Sequence, residues 1–407
     1  MTGTAKRYAV LALVALTRGG AALHSLAVNG PAWFFHRGIE MRLLAESVLS
    51  GRGLASPFGG NTGPTAFIAP GYPLLIAADF RIFGAETDAA ALSLLLLQTV
   101  LAVVTAWALM RLASQLAGER AGLFSGVIFA LALPLWWVPT IFWDTSFTLL
   151  LLPAGLWMVW SWHRQMTALR WAIFGAFVAL SALMNPALLF ALLAIGAWMW
   201  LHDSGNARRG VWAGVLVALL VFSPWPIRNA RIFHAFVPLR TTVGFELWMG
   251  NRDGSRGFLD ESVFPMFNHG ELDEYLARGE ISYTKHKSAL ARQWIEAHPA
   301  PFASLTARRF VRYWLGTGTE HGSFLYFLSA ACTLLLGGCG LLLLGRRNRS
   351  AAWLFALPLI VFPLPYYITH AEFRYRMAVD PLLCVLAGVA CTARTHAASA
   401  SAQEHGA

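Results

Sequence analysis

The sequence predicts an all-α polytopic membrane protein with about ten transmembrane helices and helical loops on the extracytoplasmic side. Three observations predict it. Of 407 residues, 57% are hydrophobic and 13% charged, and the mean hydropathy is +0.54; a soluble domain this apolar would have too few polar residues to cover its surface. Apolar segments recur along the chain, each long enough or nearly long enough to cross a bilayer. Basic residues gather in alternate connections between those segments. The 17 Trp fit aromatic belts at the membrane interface. In this setting the net charge of +10 is not evidence for nucleic acid as a partner.

The expected spans are Tyr8–Val28, Ala89–Met110, Ala121–Ile141, Thr145–Trp162, Trp171–Met184, Ala187–Leu201, Val211–Pro226, Phe324–Leu344, Ala351–Ile368 and Met377–Thr392. The start resembles a signal peptide, with Lys6-Arg7 before an apolar run. That run resumes past Arg18 to Val28, so it reads as a retained first span. The fifth and sixth spans meet at Asn185-Pro186, a turn-forming pair. Read as one broken helix, they would invert everything downstream.

The basic residues favour the hairpin. Lys6-Arg7, Arg111/Arg120, Arg164/Arg170, Arg208-Arg209, Arg346-Arg347-Arg349 and Arg394 fall in alternate connections, against the acids Glu119, Asp203 and Glu404. These connections and both termini are therefore expected in the cytoplasm. The opposite face receives a first loop, 29–69, and a large loop, 227–322. Segment 70–84, interrupted by Asp79 and Arg81, is too short to span and reads as a re-entrant or interfacial helix. Gly38–Gly51 reads as a surface helix with Ile39, Leu43 and Leu44 on one face. Tyr283–Ala297 reads as a helix ended by His298-Pro299, and Asp260–Glu280 as a mobile flap. Residues 1–393 form one transmembrane domain and 394–407 an Ala/Ser-rich disordered cytoplasmic tail. No separate C-terminal soluble domain is expected.

Charged residues close to a membrane are usually interface anchors. The set at the extracytoplasmic ends is harder to explain that way. Glu40 follows the first span, Asp144 opens the fourth, and His370-Ala371-Glu372-Phe373-Arg374-Tyr375-Arg376 precedes the tenth. A carboxylate can take a proton from an attacking hydroxyl or amine. Arginines can hold a phosphate leaving group through paired hydrogen bonds. Together they suit group transfer from a lipid-linked phosphate donor, such as a polyprenyl-phosphate sugar. Each residue has a structural alternative. Glu40 could pair with Arg37 or Arg42, and Asp144 could cap the helix Thr145–Trp162. Arg374 could snorkel, His370 and Glu372 could cap turns, and Tyr72 could be an interface aromatic.

The layout resembles the polytopic glycosyltransferases of the GT-C fold, which include protein O-mannosyltransferases and the aminoarabinose transferase of lipid A. In chain order, the matching stretches begin with Gly38-Ile39-Glu40, Leu44-Ala45 and Gly51-Arg52-Gly53. Gly63-Pro64-Thr65-Ala66, Pro70-Gly71-Tyr72-Pro73-Leu74-Leu75 and Phe83-Gly84 follow. Asn185-Pro186, Pro224-Trp225-Pro226-Ile227-Arg228-Asn229, Phe236-Val237-Pro238-Leu239-Arg240 and Gly250-Asn251 resemble stretches of bacterial members. The run His370–Arg376 with Asp380-Pro381 resembles the stretch before their last span. The resemblance implies an inverting sugar transfer on the extracytoplasmic face of a bacterial inner membrane. It maps the first-loop acid, usually Asp, onto Glu40, and a second acid onto Asp144. Arg374 or Arg376 would contact the donor phosphate, with Arg228 a further candidate; Tyr72, His370 and Glu372 are substrate-binding candidates. Partners would be the polyprenyl-phosphate sugar, membrane lipids and an acceptor that is a glycan, lipid or protein.

Two readings compete. A transporter or flippase would place ionisable groups and broken helices near the midplane. Here the spans are nearly free of charge except at Arg18, although Pro134, Pro153, Pro358 and Pro363 could kink them. A non-catalytic scaffold would not require acids and arginines to converge. A divalent metal is possible, with Glu40, Asp144 and His370 as oxygen and nitrogen ligands, but no tight ligand spacing supports it. Asn251–Ser255 reads as a turn rather than a calcium loop. The four cysteines, Cys332, Cys339, Cys384 and Cys391, read as apolar packing residues.

Overall fold

The computed structural model describes residues 3–202, 205–316 and 324–404, of which 205–207 and those beyond Thr392 are described by their backbone alone. The described chain is helical, with no strand beyond an isolated bridge between Ala55 and Pro64. The helices are α1 (Gly3–His36), α2 (Ile39–Leu49), α3 (Gly71–Phe83), α4 (Asp88–Ala117), α5 (Glu119–Leu131), α6 (Thr145–Trp162) and α7 (Ala168–Met184). Next come α8 (Ala187–His202), α9 (Val211–Phe222), α10 (Pro224–Phe233), α11 (Val243–Gly250), α12 (His269–Arg278) and α13 (Glu280–Ala297). The last are α14 (Pro299–Leu315), α15 (Phe324–Arg347), α16 (Arg349–Val361), α17 (Leu364–Ile368), α18 (Phe373–Arg376) and α19 (Asp380–Glu404).

Among the described residues, five helices are long and apolar enough to cross a membrane, or seven if two bent pairs each count as one span. Three shorter apolar helices, Ala168–Met184, Ala187–His202 and Asp380–Thr392, accompany them. Every expected segment falls on one of these helices or bent pairs, but length and composition license five to seven spans rather than ten. The bends sit at prolines, which remove a backbone donor and clash with the preceding turn. The break after Leu131 turns the chain by 64° ahead of Pro134, and the break before Pro224 turns it by 43°.

The first span continues past Val28 as helix, so the loop expected from Asn29 begins as a bent extension of α1. Gly30 takes φ 74°, which a residue with a Cβ rarely adopts, and Pro31 follows it. The redirected end carries Phe34 and Phe35 against Phe142 and delivers the chain to α2. The buried face of α2 is Met41, Leu44, Ala45 and Ser47, not Ile39 and Leu43. The expected flap holds regular structure instead. Residues Glu261–Val263 form a short 3-10 turn, α12 follows, and Val263 and Tyr275 are buried. Lys287 anchors α12 through Glu271 and Glu274, at 2.7 and 2.9 Å. The tail 394–407 and Asp203 fall where side chains, or all atoms, lie outside the described residues.

Helices pack closely where small residues let backbones approach, as in lipid-dissolved bundles. A Cβ on Gly175 of α7 would strike the Gly214 carbonyl of α9. A Cβ on Gly340 of α15 would strike the Leu386 carbonyl of α19. All four cysteines are free thiols. Arg18, the charge inside the first span, is buried and donates to the Phe129 carbonyl at 2.5 Å. Arg376 is also fully buried. Its Nε donates to Asp380 at 2.8 Å, and its Nη atoms donate to the Trp314 and Ala330 carbonyls. Arg376→Ala leaves Asp380 charged and unpaired in the core, at a cost of about 3–5 kcal/mol. Thermal unfolding in detergent is expected to show a large loss for Arg376→Ala and a smaller one for Asp380→Asn; wild-type stability in Arg376→Ala would remove the pair from the core's support.

Candidate active site

One end of the bundle is hollow. A cavity of about 140 Å³ is lined by Glu40 from α2, Trp143 and Asp144 before α6, and Asn185 between α7 and α8. The large loop contributes Arg240, Thr242 and Glu246. The segment leading to α19 contributes Tyr366, His370, Arg374 and Tyr375. A second cavity, of about 440 Å³, shares Glu40, Trp143, Leu259, Phe264 and Arg374 with the first. It adds Arg37, Glu261 and Glu372. Glu40 and Arg374 therefore stand at the border between two adjacent spaces.

Each polar group is held by local structure. Glu40 lies in the first turn of α2, where the helix dipole favours an anion. Burial nevertheless pushes its carboxyl above the usual range, with its own backbone N–H and Arg374 opposing the shift and Glu261 adding to it. Asp144 occupies the position before α6 but makes no capping hydrogen bond with its side chain. Its carboxylate instead meets the Asn185 side chain. Burial raises Asp144 to about 6, against the Asn185 hydrogen bond and the charges of Arg374 and Arg240. Asn185 is a turn former as well: its Oδ1 accepts from the Ala187 N–H at 3.0 Å.

Arg240 pairs with Glu246 at 3.0 Å. Arg374 lies over the Trp143 ring at 4.4 Å from its centroid. His370 Nε2 and the Tyr375 hydroxyl are 2.8 Å apart, and Tyr375 stacks on Tyr366 at 4.4 Å. Burial lowers His370 to about 4; the cations Arg374, Arg240 and Arg309 add to this and Glu246 opposes it. The imidazole is neutral at neutral pH. The Gly250-Asn251 stretch positions this segment. Asn251 donates to the Ile368 carbonyl at 2.9 Å, and Gly250 lies too close to the Thr369 carbonyl for any Cβ. Arg309 ties the same strip by donating to Gly250 O at 2.5 Å and Asn251 Oδ1 at 2.8 Å.

The sequence-predicted residues divide. Glu40, Asp144, His370 and Arg374 share the first cavity, and Glu372 lines the second. Glu372 accepts from the Leu259 N–H at 3.1 Å and lies 3.5 Å from Arg312. Arg376 lies outside both cavities in its core ion pair. Arg228 is also elsewhere. It donates to the carbonyls of Thr65 and Leu54, each at 2.7 Å, and staples the first loop to α10. Tyr72 is buried between Phe142 and Phe147 and does not line the cavity. Arg240 and Glu246 were missed as site residues. Arg240 follows Pro238-Leu239 in a loop, and nothing in its spacing points to the cavity. Among the described residues, no group of three or more His, Cys, Asp or Glu side chains is arranged to hold a metal ion.

Residues 68–227 match the family model described as dolichyl-phosphate-mannose-protein mannosyltransferase. The matched stretch covers Asp144 and Asn185 but not Glu40 or Arg374. No curated protein matches significantly. Among solved structures, the chain is similar to the oligosaccharyltransferase of Archaeoglobus fulgidus. The apo form aligns with TM-score 0.56 and 12% identity over 98% of this chain and 52% of that one. The complex with Zn and sulfate aligns with TM-score 0.54 and 13% identity over 94% and 48%. The complex with an inhibitory peptide and a dolichol-phosphate aligns with TM-score 0.51 and 13% identity over 98% and 52%. The chain thus spans about half the length of these structures, and it has their GT-C-type fold.

Asn185→Ala removes a hydrogen bond to the charged form of Asp144, so it is expected to push that carboxyl above about 6. Infrared titration of carboxyl absorption reads this directly, with Asp144→Asn assigning the band. A band that stays in place in Asn185→Ala would separate the two side chains.

Proposed function

We propose that this protein is a membrane glycosyltransferase that moves a sugar from a polyprenyl-phosphate donor to an acceptor hydroxyl or amine. The observation that carries this reading is the convergence of Glu40, Asp144, Arg240 and Arg374 on one cavity, from four widely separated parts of the chain. The family match over 68–227 and the shared fold support it.

The chemistry follows from the groups present. The acceptor oxygen or nitrogen forms a bond to the anomeric carbon while the bond from that carbon to the phosphate oxygen breaks. The acceptor's proton goes to a carboxylate, and the electron pair goes to the phosphate. Glu40 is the general base, because it faces both cavities and can meet an acceptor arriving from one and a donor seated in the other. A carboxyl raised by burial is a stronger base than one in water. Asp144 is the second carboxylate and helps hold Arg374 and Arg240 in place. Those arginines take the charge that develops on the leaving phosphate. Arg240 joins the assignment in place of Arg376 and Arg228, both of which are committed to structural contacts. Attack opposite the phosphate inverts the anomeric centre. The lipid chain stays among the spans, residues 1–393 act as one unit, and the cavity faces the extracytoplasmic side of a bacterial plasma membrane with both termini inside.

Purified protein given a labelled polyprenyl-phosphate sugar is expected to release polyprenyl phosphate and form a glycosylated product. Glu40→Gln is expected to slow turnover by about 10²–10⁴ with folding unchanged; turnover at the wild-type rate would remove Glu40 from the reaction. Arg374→Ala and Arg240→Ala are each expected to weaken donor use by about tenfold or more, through loss of charge-assisted hydrogen bonds to phosphate. Saturation curves with varied donor read this effect, and unchanged curves for both variants would refute the phosphate assignment.

A further inference from the structure

The first cavity holds two hydrogen-bonding side chains that the proposed reaction leaves unused. Thr242 and His370 both line it. Each is only 3% exposed, and neither Thr242 Oγ1 nor His370 Nδ1 finds a partner among the described residues. A buried polar atom without a partner costs free energy, and native structures keep few of them. Two in one small cavity point to a ligand that supplies the missing hydrogen bonds.

Local structure explains why each is left over. Thr242 immediately precedes α11, where a threonine hydroxyl usually accepts from an N–H of the first turn. Here its backbone is already helical, at φ −59° and ψ −21°, and the side chain makes no such bond. Its neighbour Thr241 is engaged, donating to Glu280 at 2.8 Å. His370 is held by its other nitrogen, 2.8 Å from the Tyr375 hydroxyl. That hydroxyl also meets the Arg374 guanidinium. An arginine only donates, so the hydroxyl accepts from Arg374 and gives its own proton to Nε2. The neutral ring then carries its hydrogen on Nδ1. His370 therefore offers one fixed N–H donor, and Thr242 offers a hydroxyl that can donate or accept.

We propose that Thr242 and His370 read hydroxyls of the transferred sugar, so that the first cavity holds the sugar ring of the donor. The Nδ1–H of His370 donates to one hydroxyl oxygen, and the Thr242 hydroxyl shares a hydrogen bond with another hydroxyl of the same ring. These two groups are uncharged and suit an uncharged ligand surface, whereas the phosphate has Arg240 and Arg374 in the same cavity to meet it. A phosphate oxygen only accepts; a sugar hydroxyl also donates, and so uses both capacities of Thr242. A site of this kind rejects a sugar that lacks the matching hydroxyl, because its own buried groups are then left unpaired. The inference rests on the sugar-transfer reading and adds to it the part of the donor that this cavity selects. Bond-making stays with Glu40, and Thr242 and His370 determine specificity.

The test uses the full chain in detergent and native mass spectrometry, which reads donor binding without an acceptor. The ligands are bare polyprenyl phosphate, polyprenyl-phosphate mannose, glucose, galactose and arabinose, and the monodeoxy counterparts of each sugar. Wild type is expected to bind its best sugar donor about tenfold or more tightly than the counterparts lacking the hydroxyls that are read. Thr242→Val keeps the size of the side chain and removes its hydroxyl, and should bring the ratio for one position close to unity; Thr242→Ser should retain it. His370→Gln can still meet Tyr375 but has no donor in place of Nδ1, and should do the same for a second position. His370→Asn keeps a donor near Nδ1 and should retain the ratio in part. Comparing ratios separates specificity from a general loss of binding. If the His370 variants fail to fold, the Thr242 pair decides. Ratios in Thr242→Val and His370→Gln equal to those of wild type would overturn the inference. So would a wild type that holds the lipid phosphate but binds parent and deoxy sugars alike, a result that leaves the transfer reading standing. Binding of none of these lipids would sink the transfer reading itself, and this inference with it.

Discussion

An ion brought close to lipid must be neutralised, hydrogen-bonded or kept wet, and this constraint shapes the structure from end to end. The charges fall into two populations. Some are sealed in protein and tied to fixed partners: Arg376 to Asp380, Arg18 to a carbonyl, Arg309 to the Gly250-Asn251 turn. Others line a cavity and keep part of their surface open to it: Glu40, Asp144, Arg240 and Arg374. The first population holds the second in register. Arg309 and Asn251 on the Ile368–Thr369 strip, with Glu372 on the Leu259 N–H, hold the segment that carries His370 and Arg374.

Glu280 shows how far the same constraint reaches. Its buried carboxylate accepts from Thr65 Oγ1, Ala66 N, Thr241 Oγ1 and the Tyr275 hydroxyl, between 2.5 and 2.8 Å. Burial pushes this carboxyl upward, and four donors oppose the shift. The result joins the first loop to the large loop just where each contributes to the cavity, at Phe67–Ala69 and at Arg240–Thr242. A carboxylate here is therefore part of the frame, although its composition alone would nominate it as catalytic.

The apolar helices were legible, though not the number of crossings, because length and apolar composition act within one segment and need no partner. That Glu40, Asp144, His370 and Arg374 share one end was legible too, because the segment ends that carry them are separated by even numbers of expected crossings. What escaped was direction. Arg374 and Arg376 are two residues apart on α18, about 200° around a helix, so one reaches the cavity while the other enters the core. Both flank Tyr375 in the sequence, and only packing distinguishes them. Arg240 ends the stretch Phe236–Arg240, and a loop arginine reports its partner only once Glu246 is placed beside it. Asp144 occupies the right position for a helix cap, yet its side chain goes to Asn185 instead. A cap preference of about 1 kcal/mol is readily outweighed by a charge-assisted contact inside a cavity.

The two ends of the α7–α8 hairpin carry the same lesson in opposite form. At Asn185 the chain turns tightly, polar groups face inward, and carboxylates balance arginines. At the other end the described lining of a groove is apolar apart from Arg208 and Arg209. A balanced cluster admits a reacting polar group, because charge that appears during reaction finds a counter-charge already in position.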